Sequence, residues 1–309
     1  MSRGLHPLSP QPSPPSGASE PGTLPPQGRG QGEGWRRRFR AVRHVTFTIG
    51  FVITLALLAT AALSLVYTPR DPLEMSISGR LQGPSEAHPL GTDQFGRDLL
   101  SRIMTGAVTS ILVGVIAVGI GMGIGVGLGM LSGYFGGWLD EVFMRLMDAV
   151  QGFPAILSAL LITAVFRPSV AMTMIAIGVS FLPVFARLTR ASFLELRDRE
   201  FVLAARALGA RDATLVGRHI FPNTMPPLIV QATISFPVAI LAEAALSYLG
   251  LGTQPPHPSW GLMLREAQAF LSMSPWFAIF PGTAIALTVL GLNLLGDGLR
   301  DLLDPRLAG

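Results

Sequence analysis

Apolar runs long enough to cross a bilayer recur along this chain, at about residues 45–67, 104–131, 143–166, 169–189, 226–250 and 276–296. A helix needs roughly 20 apolar residues to cross a hydrocarbon core of roughly 30 Å, and within that core each backbone polar group must be satisfied internally. Helices meet that demand locally, so the pattern predicts an all-α integral membrane protein with six transmembrane helices. Composition agrees, since 49% of the 309 residues are hydrophobic and 14% are charged, whereas about a quarter are charged in soluble domains.

The same composition excludes several chemistries. Cysteine is absent, which removes disulfides, thiolate metal sites and cysteine nucleophiles. The histidines (His6, His44, His88, His219 and His257) are scattered and form no HExxH pattern, so no metal site is expected. Lysine is absent too. The phosphate-binding loop GxxxxGK[ST] needs its lysine, so an ATP-driven process would require ATP and Mg on another chain, with no cofactor bound by this one. No nucleic-acid motif accompanies the arginines; no nucleic-acid partner is expected, and the positive charge suits an anionic membrane lipid surface.

Residues 1–34 are dominated by Pro, Gly, Ser and Gln and cannot bury enough surface to offset the entropy of ordering, which predicts a disordered cytoplasmic tail. WRRRFRAVRH at 35–44 follows. Its Arg37–Arg38 pair resembles a twin-arginine export signal, but signal-peptide apolar cores run only about 7 to 15 residues, and the run beginning at Val45 is longer. It reads better as a positive-inside anchor. The expected organisation is then the tail, a first transmembrane helix and extracytoplasmic loop over 35–103, and a helical core over 104–309 holding a long basic loop at about 191–225. Six crossings put both termini on one side. Arginines crowd the first span's start and the loop after the fourth span, whereas those in the opposite loops are balanced by acids. The positive-inside rule makes both termini and the basic loop cytoplasmic.

The second span carries two glycine rows, 119, 123 and 127 on one face and 121, 125, 129 and 133 beside it, a smooth strip that admits a neighbouring backbone. Pro154, Pro183, Pro237 and Pro281 interrupt later spans and Pro226–Pro227 open the fifth. Proline kinks helices, which suits a pathway that opens and closes, though a rigid bundle can also hold such kinks. Ionisable groups within spans cost about 2.5 to 3.5 kcal/mol on insertion scales and are paired or functional by default. Arg145 and Asp148, three residues apart, are expected to form a structural ion pair. Glu243 has no basic residue within helical reach, so it is expected to face an aqueous pathway or an inter-subunit interface.

The basic loop contains FVLAARALGARDATLVGRHIFP, residues 201–222. Phe201, Ala204, Ala205, Leu208 and Leu215 approximate an apolar face, and Gly209–Ala210 break the run, giving a helix, turn, helix shape. Such a hairpin either docks a partner or lies on lipid. An ion-coupled secondary transporter would show charges near the midplane of several spans or paired broken helices, and a membrane enzyme would show a cluster of reactive groups; apart from Glu243, neither pattern is present.

LAARALG at 203–209, with IFPN at 220–223, resembles the EAA signature of ABC importer permease subunits, an A-A-xxx-G pattern with a distal I-x-L-P. Ala204, Ala205, Gly209, Ile220 and Pro222 match it; Leu203 stands where relatives often carry Glu and Phe221 where they carry Leu. HPLGTDQFGRDLLSRIMTGAVTSILVG at 88–114, EAALSYLGLGTQPPHPSWG at 243–261 and GDGLRDLLDPRL at 296–307 are similar to the C-type partner of the dipeptide, oligopeptide and nickel branch. At 107–110 the chain has AVTS where relatives usually carry an arginine. The resemblance implies a type I ABC importer permease fold in a bacterial cytoplasmic (inner) membrane. It further implies a coupling helix in the loop, a heterodimer with a second permease subunit, two ATP-binding subunits, and an extracytoplasmic substrate-binding protein. The chain itself would be non-catalytic. Peptides are the first expected substrate, with nickel chelates and glutathione-like compounds as alternatives.

Overall fold

The computed structural model describes residues 29–303, with side chains described from 45 to 301. The expected disordered tail therefore lies outside the described residues up to position 28, while residues 29–34 are already helical. The chain divides into two units, 1–42 and 43–309. Of the first, the described part is the opening of helix α1 (Arg29–Ser64). The second holds the rest of α1 and the helices that follow it: α2 (Leu99–Phe135), α3 (Gly137–Gln151), α4 (Ala155–Val165), α5 (Val170–Leu196), α6 (Glu200–Ala207), α7 (Asp212–Thr214), α8 (Phe221–Tyr248), α9 (Trp260–Ala267) and α10 (Trp276–Leu303). No β-strand occurs among the described residues beyond an isolated bridge between Thr92 and Asp98.

Five helical segments are long and apolar enough to cross a membrane: Val45–Ser64, Leu99–Phe135, Val170–Leu196, Asp212–Tyr248 and Trp276–Asp301. The third expected crossing, at 143–166, is not one continuous helix, for α3 and α4 meet at an angle of 85°. Gly152 caps α3 and Pro154 opens α4; a proline there has no N–H to donate and its ring clashes with the preceding turn. With 11 residues, α4 reaches only about 16 Å and cannot cross alone. The other prolines do not break their helices. Helix α5 runs through Pro183, α8 through Pro226, Pro227 and Pro237, and α10 through Pro281, because neighbouring helices and side chains can re-satisfy the freed backbone groups.

Glycine decides how the spans pack. A Cβ built on Gly121 would stand 2.5 Å from Phe181 Cβ, on Gly125 2.9 Å from the carbonyl of Leu182, and on Gly133 2.7 Å from Phe193 Cβ. Residue numbers rise together along this seam, so α2 and α5 run parallel with their backbones nearly in contact. The other row, Gly119, Gly123 and Gly127, meets nothing within 4 Å. Helix α8 crosses α2 in the opposite direction, with Gly114 against Phe236 and Ser110 against Glu243. Val113, Ala117, Ile177, Phe185 and Leu246 fill the space between α2, α5 and α8. A second contact of backbone on backbone joins α1 to α10, where a Cβ on Gly50 would lie 2.5 Å from Leu295 N.

At the end where α2 begins, Asp98 caps the helix by accepting from the Ser101 amide at 2.9 Å and also holds His88 Nδ1 at 2.9 Å. Beside it lies an ionic quartet, buried except for Glu266, which is partly exposed. Asp93 accepts from Arg97 Nε at 2.6 Å and faces Arg102 at 3.0 Å, while Glu266 on α9 meets Arg102 at 2.8 Å and Arg97 at 3.3 Å. Arg102 is wholly buried. The quartet fastens α9 to the segment that leads into α2.

Candidate functional site

The basic loop folds as a hairpin at the end of the bundle where α2 and α5 finish. Helix α6 has Glu200 in its first turn and Arg206 in its last, the arrangement that complements the helix dipole. It ends in a Schellman turn, in which the Gly209 amide donates to the Arg206 carbonyl at 3.0 Å and the Ala210 amide to the Ala205 carbonyl at 3.1 Å. Such a turn requires a left-handed residue, and Gly209 supplies it with φ +85°. The chain then runs through α7 and a π-helical stretch, Leu215–Ile220, directly into α8.

The hairpin has its own core, formed by Val202, Leu215 and Ile220 against Phe193 of α5, with Tyr134, Ala205 and Ala210 packed at its edge. This corrects the apolar face expected from the sequence. Val202 is the buried residue of α6, while Phe201 (43%), Leu203 (47%) and Leu208 (90%) are exposed. The signature positions therefore separate. Ile220 is wholly buried and Ala205 half-buried, whereas Ala204, Gly209 and Pro222 face outward. The tip presents an apolar residue, Leu208, and Arg206, Arg211 and Arg218 of the same hairpin are exposed as well. Such a surface can bury leucine in a groove and pair its arginines with acidic groups.

Glu243 is not on a surface. It is fully buried, and its carboxyl oxygens accept from Ser247 at 2.7 Å, Thr253 at 3.3 Å and Ser110 at 3.3 Å. Beyond α8, Gly250 takes φ +84° and turns the chain back, so that Thr253 lies over the carboxyl it serves. The absence of a basic partner in its helix is answered by hydroxyls from α2, from α8 itself and from the loop that follows. Such bonds let a buried carboxyl avoid the cost of an unpaired polar group.

The expected Arg145–Asp148 pair is replaced by two others. Arg145 meets Glu141 at 2.5 Å and Asp148 meets Arg187 of α5 at 2.6 Å. An acid four residues before a base is the favoured orientation on a helix, and α5 brings a second cation to Asp148. Both pairs are largely exposed and contribute little to stability. A stronger tie lies nearby, where Asp140 of α3 receives Arg190 Nε at 2.5 Å and a second guanidinium nitrogen at 2.6 Å, with the hydroxyl of Ser132 on the same carboxylate.

Sequence reasoning missed the ionic quartet, the hydroxyls around Glu243, and a hydrogen bond from Tyr134 to Asp212 at 2.5 Å. Asp93 with Arg97 and Glu243 with Ser247 are four residues apart and could have been found from that spacing, but the partners on other elements, Glu266, Ser110 and Asp212, lie 78 to 169 residues away, and no periodicity encodes such a pairing.

Comparison with known proteins bears on these features. Residues 125–309 match the family model described as binding-protein-dependent transport system inner membrane component. A dipeptide transport system permease protein, DppC, from Alkalihalophilus pseudofirmus is 41% identical over 290 residues, covering 93% of this chain and 95% of its own. A glutathione transport system permease protein, GsiD, from Pectobacterium atrosepticum is 43% identical over 276 residues, covering 89% and 91%. Among solved structures, a chain from inward-facing conformations of the MetNI methionine ABC transporter superposes with a TM-score of 0.55 at 16% identity, over 65% of this chain and 96% of that one. The chain is therefore a multi-pass membrane protein that belongs to the binding-protein-dependent inner membrane components, as an ABC importer permease of the peptide and oligopeptide branch with the type I fold.

Proposed function

We propose that this permease forms half of a heterodimeric pathway for di- and oligopeptides in a bacterial cytoplasmic membrane and is driven by two separate ATPase subunits that carry the ATP and Mg. The observation that carries the reading is the hairpin: a folded element with exposed arginines and an apolar tip, Leu208, 90% exposed, on a segment continuous with the span Asp212–Tyr248. Its coupling residues are Ala204, Ala205, Gly209, Ile220 and Pro222. The buried members anchor the hairpin and the outward ones meet the ATPase groove. In this reading both termini and the hairpin are cytoplasmic, the division at 35–103 and 104–309 separates the first span and its outer loop from the permease core, and a binding protein delivers substrate to the opposite face. Glu243 acts as a structural carboxyl beside the path, knitting α2, α8 and the following loop together. The match to a glutathione permease at 43% identity supports a second reading in which the cargo is a glutathione-like peptide.

The test is purification of the tagged chain from gently solubilised native membranes, with mass spectrometry of what accompanies it. A second permease and P-loop ATPases are expected, and labelled dipeptide and glutathione offered to the reconstituted complex separate the two cargo readings. A chain recovered alone, with uptake surviving ATP depletion, would overturn the proposal.

A further inference from the structure

The hairpin has two arms, and they are held differently. Its first arm, α6, follows α5 through the short turn at 197–199, and α5 is packed backbone to backbone on α2 along the row Gly121, Gly125, Gly129 and Gly133. Its second arm, α7, leads into α8 through the π-helical stretch Leu215–Ile220, an irregular turn of the kind found at functional sites. Helix α2 has no chain connection to either arm. Yet the phenol of Tyr134, in its last turn, donates to Asp212 at the start of α7 across 2.5 Å, and its ring packs on the hairpin core.

We propose that Tyr134 and Asp212 form a latch that fixes the second arm to the α2–α5 pair, making Tyr134 a positioning residue for coupling. This rests on the coupling role assigned to the hairpin above. With the latch closed, the hairpin has two anchors on one close-packed pair and moves with it as one lever, while the π-helical stretch leaves α8 free to follow differently. With the latch open, the start of the second arm loses its tie to α2 while Leu215 and Ile220 stay packed on Phe193, so force applied at Leu208 reaches α5 without reaching the end of α2. The bond lies at the partly exposed edge of the hairpin core, so its loss leaves the fold intact and its role can be separated from stability.

The chain is assembled with its partner permease and ATPases in nanodiscs, and amide exchange is followed with and without ATP and vanadate. In wild type, residues 130–136 and 201–214 are expected to change protection together when nucleotide is trapped. In Tyr134→Phe and Asp212→Ala, amides at 211–216 should exchange about three- to tenfold faster, the loss of one hydrogen bond read as local opening, and the nucleotide response at 130–136 should disappear while ATP hydrolysis persists. Asp212→Asn keeps an acceptor oxygen and should behave as wild type, and the double variant Tyr134→Phe/Asp212→Ala should be no worse than either single one. A nucleotide response at 130–136 that survives in Tyr134→Phe overturns the latch. A wild-type complex whose hairpin ignores nucleotide overturns the coupling reading itself, and the latch with it.

Discussion

At position 209 the backbone adopts φ +85°, and a Cβ built there meets nothing within 4 Å. A side chain at this site therefore suffers conformational strain without a clash, worth about 1–2 kcal/mol, and projects from the tip of the hairpin. Gly209→Trp should reach the membrane at wild-type levels and support little uptake, with hydrolysis uncoupled from transport. Immunoblotting and uptake in the same cells check this, and unchanged transport would refute the docking role. Glu243 gives a different kind of prediction. Glu243→Leu leaves the hydroxyls of Ser110, Ser247 and Thr253 without their acceptor, at a cost of about 1–3 kcal/mol, whereas Glu243→Gln retains an oxygen and should cost less than about 1 kcal/mol. Thermal unfolding of the detergent-solubilised protein should rank wild type and Gln together above Leu; Gln melting with Leu would mean that the negative charge itself is required. That Glu243 is an unusual group was legible in the sequence, because a charge within a span is paired or functional, and its spacing pointed to an aqueous pathway or an inter-subunit interface. That the partners are hydroxyls, one of them 133 residues away, was not.

Helix α2 is where the elements become a bundle. Its two glycine rows are indistinguishable by composition, and the periodicity of either predicts a smooth strip. The structure uses one row, because the other opens on space. Gly129→Leu should therefore drive a side chain into the Ala186 carbonyl and Thr189 of α5, overpacking the seam by about 1–3 kcal/mol or more. Gly127→Leu should be tolerated. Membrane abundance and melting temperature compare the pair, and equal behaviour would contradict the parallel α2–α5 packing. The bend in the third expected span shows the complementary limit. Apolar length was visible at 143–166, and Pro154 marked a weak point, but the 85° bend depends on how α3 is held. Its ties, Asp140 to Arg190 and Asp148 to Arg187, reach across to α5, so the expected pair of Arg145 with Asp148 gave way to partners on another helix.

For the whole molecule, the quartet of Asp93, Arg97, Arg102 and Glu266 joins residues 164 apart and carries two cations and two anions. Removing one member leaves an uncompensated buried charge, which costs about 3–5 kcal/mol. Glu266→Ala should lower the melting temperature sharply, while Arg145→Ala, at an exposed pair, should change stability by no more than about 1 kcal/mol; similar melting of the two variants would deny the quartet its role in holding α9. The sequence alone determined the solvent of this protein, the position of its long spans and the existence of the hairpin, since apolar length, glycine at a helix end and arginine bias act over a few residues. The signature at 203–223 pointed to the family on the same local basis. Tertiary structure decided which glycine row meets a neighbour, which residues of the hairpin are buried and which form its tip, and which hydroxyls and guanidinium groups hydrogen-bond to the buried acids. Those choices depend on contacts between different elements, from the 60 residues that separate Gly121 from Phe181 to the 164 between Arg102 and Glu266, fixed when backbones pack closely and each buried polar group must find a partner.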